Sequence, residues 1–314
     1  MTPDQHRQSL PRHRPVMVEE VLQVLEPSAG ERALDLTLGR GGHAEPIARA
    51  LGKDGLLAGV DADREVLQAT KEALREKASC RCRFFHGRFA SAPDLTDRLG
   101  LSGFDVVLVD LGVGSHQLDD PERGFAFDSD HPLDMRYDTD RGPTARQVVN
   151  STPEEELADI FYELGEERYS RQIAAEICRV REEEEIQTPS ELAGIVKRVY
   201  ARRSSGRTRR IHPATRVMMA LRIHVNRELD ELTTLLEELP DLLNAGGRVA
   251  ILTYHSLEAR RVKHVWREQE AKELLEVITE TPLMPSEEEI GENPRARSAQ
   301  LRAARRRSVG LREG

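Results

Sequence analysis

The stretch Arg32-Ala-Leu-Asp-Leu-Thr-Leu-Gly-Arg-Gly-Gly-His43 decides the fold, because a short apolar run leads directly into a glycine-rich loop. Glycine tolerates positive φ angles and lets a ligand approach the backbone closely. Helical sequence follows from residue 42 to 51, so the stretch predicts a strand at 32–36, a tight turn and a helix. Ligands of open α/β sheets bind beyond the carboxyl ends of the strands, which makes this loop a candidate site as well as an ordinary turn.

The alternation of strand and helix continues to residue 110. Almost wholly apolar runs predict further strands, and amphipathic segments predict helices at 64–77 and 90–99. The further strands are predicted at 56–60, 81–86 and 104–110. Apolar strands separated by helices indicate a parallel sheet that is covered on both faces.

The pattern breaks between residues 115 and 213, where no convincing buried strand occurs and helices are predicted at 153–162, 168–184 and 189–203. Apolar residues then recur at helical spacing from Val217 to Leu239 and predict one long helix that ends near Gly246. A strand at 248–254 and weaker candidates at 275–279 and 299–305 follow. The simplest architecture is a doubly wound sheet interrupted by a helical insertion.

Composition restricts the class of protein. The 314 residues are 38% hydrophobic and 32% charged, without the apolar run of about 18 residues that a membrane span needs. The odd, low number of cysteines (Cys80, Cys82 and Cys178) indicates a reducing compartment, and their spacing disfavours a zinc site. We therefore expect a cytoplasmic protein with no metal and no membrane partner.

The net charge of −9 argues by itself against a nucleic-acid partner, but the charges are segregated. Two basic runs, at 197–210 and 295–307, contain no acidic residue. Such runs can present one positive face to phosphates, or they can be solvated faces and a disordered tail.

Acidic residues end three of the predicted strands: Asp35, Asp61 and Asp110. The spacing Gly39-x-Gly41-x-x-Ala44 fits the dinucleotide fingerprint, so NAD is one candidate ligand. A pyrophosphate near Asp35 would be repelled, since two unit charges 4 Å apart cost about 4 kcal/mol at an effective dielectric of about 20. S-adenosylmethionine carries an ammonium and a sulfonium and no phosphate, so the acidic edge favours it.

The sequence also predicts roles for individual side chains. Asp61 is expected to bind the ribose hydroxyls, whereas Asp63 is expected to cap the next helix. Phe89 follows the third strand and packs either against adenine or in the core. His255 is a proton acceptor, a helix cap or a support of its loop. Three aromatic residues could stack on a base or belong to the core: Phe125, Phe127 and Tyr254.

Ordered motifs along most of the chain resemble one family, the bacterial 16S rRNA cytosine-N4 methyltransferases of the small-subunit methyltransferase H type. These motifs are His13-Arg-Pro-Val-Met, Leu38-Gly-Arg-Gly-Gly-His43, His86-Gly-Arg-Phe89, Val109-Asp-Leu-Gly-Val113, Gln117-Leu-Asp-Asp-Pro-Glu-Arg-Gly-Phe125, Pro132-Leu-Asp-Met-Arg136, Tyr162-Glu-Leu-Gly-Glu-Glu-Arg168, His212-Pro-Ala-Thr-Arg216, His255-Ser-Leu-Glu258 and Glu292-Asn-Pro-Arg-Ala-Arg-Ser298.

The resemblance implies an α/β fold: a Rossmann-like S-adenosylmethionine-dependent methyltransferase sheet with an inserted all-helical domain. It assigns 1–114 and 214–314 to the methyltransferase domain and 115–213 to substrate recognition. It implies cofactor contacts at Gly41, Gly42, His43, Asp61, Phe89, Asp110 and Gln117.

The implied substrate is a P-site cytidine of 16S rRNA, methylated on N4 within the small ribosomal subunit, and a homodimer is left open. The N4 lone pair is delocalised into the ring, so a group must accept hydrogen bonds from the amine, and Asp110 is the candidate. The sequence does not separate this catalytic role from cofactor binding. Gly114 and His116 depart from the family pattern and loosen the loop before Gln117. Gln117 either forms a hydrogen bond to the cofactor or the base, or is an ordinary surface-loop residue.

Overall fold

The computed structural model describes residues 15–203 and 212–308. Contacts divide the chain into two compact units. The first comprises Met1–Asp61, Glu65–Gly112 and Leu236–Gly314, and the second comprises Ala62–Arg64 and Val113–Leu235. His13 and most of the basic run beyond residue 203 lie outside the described residues.

The first unit is built on one sheet of seven strands with the order β3-β2-β1-β4-β5-β7-β6. The strands are β1 (Arg32–Asp35), β2 (Leu56–Asp61), β3 (Arg81–His86), β4 (Phe104–Asp110), β5 (Leu243–Thr253), β6 (Leu275–Val277) and β7 (Gln300–Arg306). Strands β1 to β5 are parallel, and β7 runs antiparallel between β5 and β6. The order of the first five strands is that of a doubly wound sheet, so the expected Rossmann-like α/β fold is confirmed.

In the described chain the helices are α1 (Val18–Leu25), α2 (Ala44–Leu51), α3 (Arg64–Lys77), α4 (Pro93–Leu99), α5 (Ser115–Asp119), α6 (Ala145–Ser151), α7 (Glu154–Glu163), α8 (Ser170–Arg181), α9 (Pro189–Arg203), α10 (Thr215–Asn226), α11 (Glu228–Leu242), α12 (Ser256–Ala271) and α13 (Glu287–Glu292). None of them has the length and apolar character that crossing a membrane requires.

The sheet core forms because the central strands are apolar along their whole length. Val106 and Leu108 of β4 are fully buried with Leu57 of β2, and Ile47 of α2 packs on the same cluster. At the amino end of the sheet, the guanidinium of Arg248 donates to the carboxylate of Glu31 at 2.8 and 3.0 Å and to backbone carbonyls. This arrangement leaves the carboxyl ends of the strands for the candidate site.

The basic run at 295–307 belongs to the fold. It forms a short 3-10 turn (Pro294–Ser298) and then β7, whose Leu301 to Ala304 are buried. The alternative of a disordered tail is therefore wrong, and the strand predicted at 299–305 is confirmed, because Leu301, Ala303 and Ala304 are buried in the sheet.

The single long helix predicted between Val217 and Leu239 is also wrong. The first helix ends before Arg227, whose φ of 54° lies in the left-handed region, and this residue separates α10 from α11. The buried side chain of Asn226 donates to the carbonyl of Met135 at 2.7 Å and accepts from the Tyr137 amide at 2.7 Å. These bonds favour a break that the apolar spacing does not encode.

The second unit contains helices and no strand among its described residues. Its core joins apolar side chains of α6 to α10, with Phe161 and Leu221 fully buried. The sequence predicts that the inserted domain ends at residue 213, and this boundary stays a prediction. The contacts group the residues up to Leu235 with the helical unit.

A buried carboxylate holds part of this helical core. Glu167 is fully buried, and both of its oxygens lie 2.7 Å from the hydroxyl of Tyr200. The backbone amide of Tyr169 also donates to it at 2.9 Å. A buried acceptor that loses its donor bears the full desolvation penalty.

We expect Tyr200→Phe to lower the free energy of unfolding by about 2 kcal/mol, because Glu167 loses its hydroxyl donor. The control is Tyr162→Phe, since Tyr162 is 65% exposed. Urea unfolding followed by circular dichroism measures both. Equal stability of the two variants would contradict the assigned role of the Tyr200 hydroxyl.

Candidate active site

The glycine loop after β1 is shaped by its neighbours. Gly39 and Gly41 have φ angles of 50° and 77°, which other residues adopt at a cost. A Cβ atom on Gly42 would lie 2.7 Å from Cγ of Pro15, so a larger residue does not fit there. The hydroxyl of Thr70 donates to the Gly39 carbonyl at 2.6 Å and fixes the loop from α3.

Asp61 joins the end of β2 to this loop. Its carboxylate accepts the Gly39 amide at 2.7 Å, and the side chain is half-buried. A carboxylate has about four lone-pair sites, so the bond to the loop leaves capacity for hydroxyl groups of a ligand. The loop and this carboxylate therefore form one rigid binding surface.

Asp110 ends β4 and contacts Tyr254, His43 and Thr37. Its Oδ1 accepts the hydroxyl of Tyr254 at 2.7 Å, and its Oδ2 lies 3.7 Å from Nδ1 of His43. Its backbone amide donates to Oγ1 of Thr37 at 2.6 Å. Burial, and then the charge of Asp110, raise the pKa of Tyr254 well above its usual value, so the phenol stays protonated and donates.

The ring of His43 contacts two different segments of the chain through its two nitrogens. Its Nε2 lies 2.9 Å from the carbonyl of Val16, which makes Nε2 a donor. The ring is 6% exposed and its other nitrogen faces Asp110. His43 thus links the amino-terminal segment to the carboxylate at the end of β4.

Asp35 is the most perturbed acid of this edge. Burial raises its pKa to about 7, the nearby His43 and the Thr37 amide lower it, and the charges of Asp110 and Asp61 raise it again. The three aspartates therefore lie close enough to repel one another. Such an edge attracts a cation and repels an anion.

The remaining residues predicted from the sequence have the following surroundings. Phe89 begins a 3-10 turn directly after β3 and is half-buried. Gln117 belongs to the second unit, where its side chain accepts from Gly114 at 3.1 Å and donates to Asp63 at 3.4 Å. Arg123 donates to the same Asp63 carboxylate at 2.5 Å, so Asp63, which directly precedes α3, has a cationic partner.

The three aromatic residues have different surroundings. A Cβ atom on Gly112 would lie 3.2 Å from the ring of Tyr254, which therefore packs against the backbone. Phe125 is buried and stacks on Tyr137, with ring centroids 5.8 Å apart. Phe127 is 40% exposed, and its ring lies 4.2 Å from that of His212.

His255 takes the role of a helix cap. It is the N-cap residue of α12, where its Nδ1 accepts the Glu258 amide at 3.5 Å, and the Glu258 carboxylate accepts the amide of Tyr254 at 2.8 Å. This reciprocal capping positions the tyrosine that orients Asp110. The sequence patterns assigned Thr37 no role and offered Tyr254 only as a stacking or core residue, whereas both contact Asp110 in the structure.

Comparison with known proteins gives a consistent result. The model of the MraW methylase family matches residues 11–307. The chain is 47% identical over 312 residues to the ribosomal RNA small subunit methyltransferase H of Syntrophotalea carbinolica, with 94% of this chain and 98% of the relative covered. Proteins of the same name from Cyanothece sp. and Acidobacterium capsulatum are 46% and 43% identical, each over 94% of this chain and over 94% and 99% of the relative.

The raised pKa of Asp35 predicts a specific pH dependence of stability. Between about pH 4 and 7 the folded protein binds a proton that the unfolded chain releases, so this contribution is complete at low pH and is lost as the pH rises through 7. In the wild-type protein we expect the free energy of unfolding to fall by up to about 4 kcal/mol across this pH range. In Asp35→Asn we expect this fall to be absent. Urea titrations at several pH values, with Asp54→Asn as an exposed control, measure it. Parallel profiles for wild type and Asp35→Asn would contradict the assignment.

Proposed function

Because the chain belongs to the MraW methylase family, we propose that it transfers the methyl group of S-adenosylmethionine to the N4 amine of a P-site cytidine in 16S rRNA of the small ribosomal subunit. The observation that carries this proposal is the convergence of Asp35, Asp61 and Asp110 beside a glycine loop. The names of the relatives support ribosomal RNA as the substrate.

The donor set fits S-adenosylmethionine. Asp35 already has its ionised form disfavoured by burial and by two neighbouring carboxylates. A ligand with an ammonium and a sulfonium relieves that repulsion, whereas the pyrophosphate of NAD adds to it. The acidic edge therefore disfavours NAD even though the glycine spacing fits its fingerprint.

We assign the cofactor contacts to the residues named from the sequence. Gly41 and Gly42 permit close approach to the backbone, Asp61 accepts the ribose hydroxyls, and His43 and Asp110 border the donor end. Phe89 is assigned to the adenine ring. Gln117, which lies in the second unit, completes the set.

Bound S-adenosylmethionine supplies an electrophilic methyl group. The chain's own contribution is to orient the acceptor: Oδ2 of Asp110 accepts a hydrogen bond from the N4 amine and localises its lone pair. Tyr254 and Thr37 hold Asp110 in that orientation through the bonds to its Oδ1 and its backbone amide.

The RNA contacts are assigned to the helical segment 115–213 and to arginines of both units. The target cytosine must leave its stack to reach a strand-end site. We place the enzyme in the cytoplasm, acting on RNA within the assembling or complete small subunit. A homodimer is a separate prediction that light scattering of the purified protein tests.

We expect Asp110→Asn to lower the rate of methyl transfer about 100-fold or more, because the amine loses its charged acceptor. The control is Asp105→Asn, at the amino end of the same strand, which should keep the rate even if stability falls. The assay follows labelled methyl transfer to 16S rRNA and to small subunits, and mass mapping identifies the modified base.

Calorimetry with S-adenosylmethionine and with NAD complements this assay. Binding of NAD alone, or RNA binding by the wild-type protein without any methyl transfer, would reject the proposed function. Near-normal transfer by Asp110→Asn would reject only the role of that carboxylate.

A further inference from the structure

A cavity of about 440 Å³ lies within the first unit, between α3 and β3. Lys71, Leu74 and Arg75 line it from the helix, and Cys80, Cys82 and Arg83 line it from the strand side. None of these side chains takes part in the candidate active site described above.

The two cysteines form a hydrogen-bonded pair. They are two residues apart at β3, so their side chains point to the same face of the sheet. Their Sγ atoms are 4.0 Å apart, and the Cys82 thiol also approaches the Cys80 carbonyl at 3.8 Å. Either thiol can donate in the contact between the two sulfurs, whereas in the contact with the Cys80 carbonyl the Cys82 thiol is the donor.

This pairing separates the acidities of the two thiols. The hydrogen bond between the two thiols lowers the pKa of Cys80, in opposition to burial, which raises it. The same bond and burial raise the pKa of Cys82. Cys80 is thus the member of the pair that ionises first, and it is half-buried at the cavity wall.

Three cations line the cavity that contains the pair. Arg83 donates to the Cys82 carbonyl at 3.0 Å, and Lys71 and Arg75 face the cavity from α3. Within residues 15–203 and 212–308, none of the three forms an ion pair with a carboxylate. The cavity is therefore locally positive in a chain whose net charge is −9.

Reactive cysteines occur in partly exposed, electropositive surroundings, where the thiolate is stabilised and accessible. We propose that Cys80 is a nucleophilic thiol that reacts with anionic low-molecular-weight disulfides and retains one half of the reagent in this cavity as a mixed disulfide. The cations select the carboxylates of such a reagent, and the cavity volume accommodates a molecule of tripeptide size.

The reaction is a single thiol–disulfide exchange. The Cys80 thiolate attacks one sulfur of the reagent, the reagent's S–S bond breaks, and a new S–S bond forms to Cys80. The other half of the reagent leaves as a thiolate and takes the electron pair. The protein thiol is oxidised and the leaving half is reduced, so no further oxidant is required.

Cys178 provides an internal control. It is also half-buried, but burial and the charges of Glu154 and Glu182 raise its pKa, against the lowering by Arg181. The carboxylates of Glu154 and Glu182 oppose the charge of Arg181 there, so we expect this site to favour an anionic reagent less than Cys80 does. The two sites should therefore differ both in rate and in their preference for reagent charge.

The test treats the folded wild-type protein with oxidised glutathione (anionic), bis(2-hydroxyethyl) disulfide (neutral) or cystamine (cationic), and follows each cysteine by peptide mass mapping. We expect Cys80 to react with oxidised glutathione at least tenfold faster than Cys178, and faster than Cys80 reacts with cystamine. Modification of Cys178 or Cys82 before Cys80, or equal rates with anionic and cationic reagents, would overturn the proposal.

A charge variant tests the contribution of the cations. Arg75→Gln should slow the reaction of Cys80 with oxidised glutathione several-fold and leave its reaction with the neutral disulfide unchanged. Lys53→Gln, which removes a charge from an exposed turn, is the matched control. An Arg75→Gln protein with the charge preference of wild type would contradict the selection by cations.

Discussion

Repulsion among like charges organises the edge of the sheet at which the parallel strands end. Three strands bring their terminal aspartates to this edge, and one of these, Asp35, has no exposure to relieve the repulsion. Burial raises the pKa of Asp35 to about 7. A backbone amide donates to the carboxylate of Asp61, and a phenol hydroxyl donates to that of Asp110. The site is thus already arranged for a positively charged ligand before one arrives.

The partners of each carboxylate determine what it can do. Asp63 is neutralised by the guanidinium of Arg123, so it is committed to structure. Asp110 is bonded to a phenol and flanked by a histidine, and its side chain keeps 24% of its exposure. Asp63 is already bound to a guanidinium, so Asp110 is the better of the two for the proposed contact with a substrate amine.

Strand β4 and helix α3 could be predicted from the sequence nearly to the residue. Burial of both faces makes β4 a continuous apolar run, and the buried Leu67 and Leu74 of α3 recur at helical spacing. The break at Arg227 could not, since it depends on hydrogen bonds from Asn226 to residues about ninety positions away. The same holds for the bond between Tyr254 and Asp110. Sequence patterns place side chains on a strand end, and only tertiary contacts decide which of them orients another.

The connectivity of the sheet has a consequence for synthesis on the ribosome. Strand β4 lies between β1 and β5, yet β5 begins only at Leu243. While residues 111–242 are translated, one edge of an apolar central strand has no partner, for on the order of ten seconds at ordinary elongation rates. The helical unit is almost continuous in sequence and can condense during that interval. During synthesis the nascent chain therefore exposes an unpaired strand edge, to which another chain or a chaperone can bind.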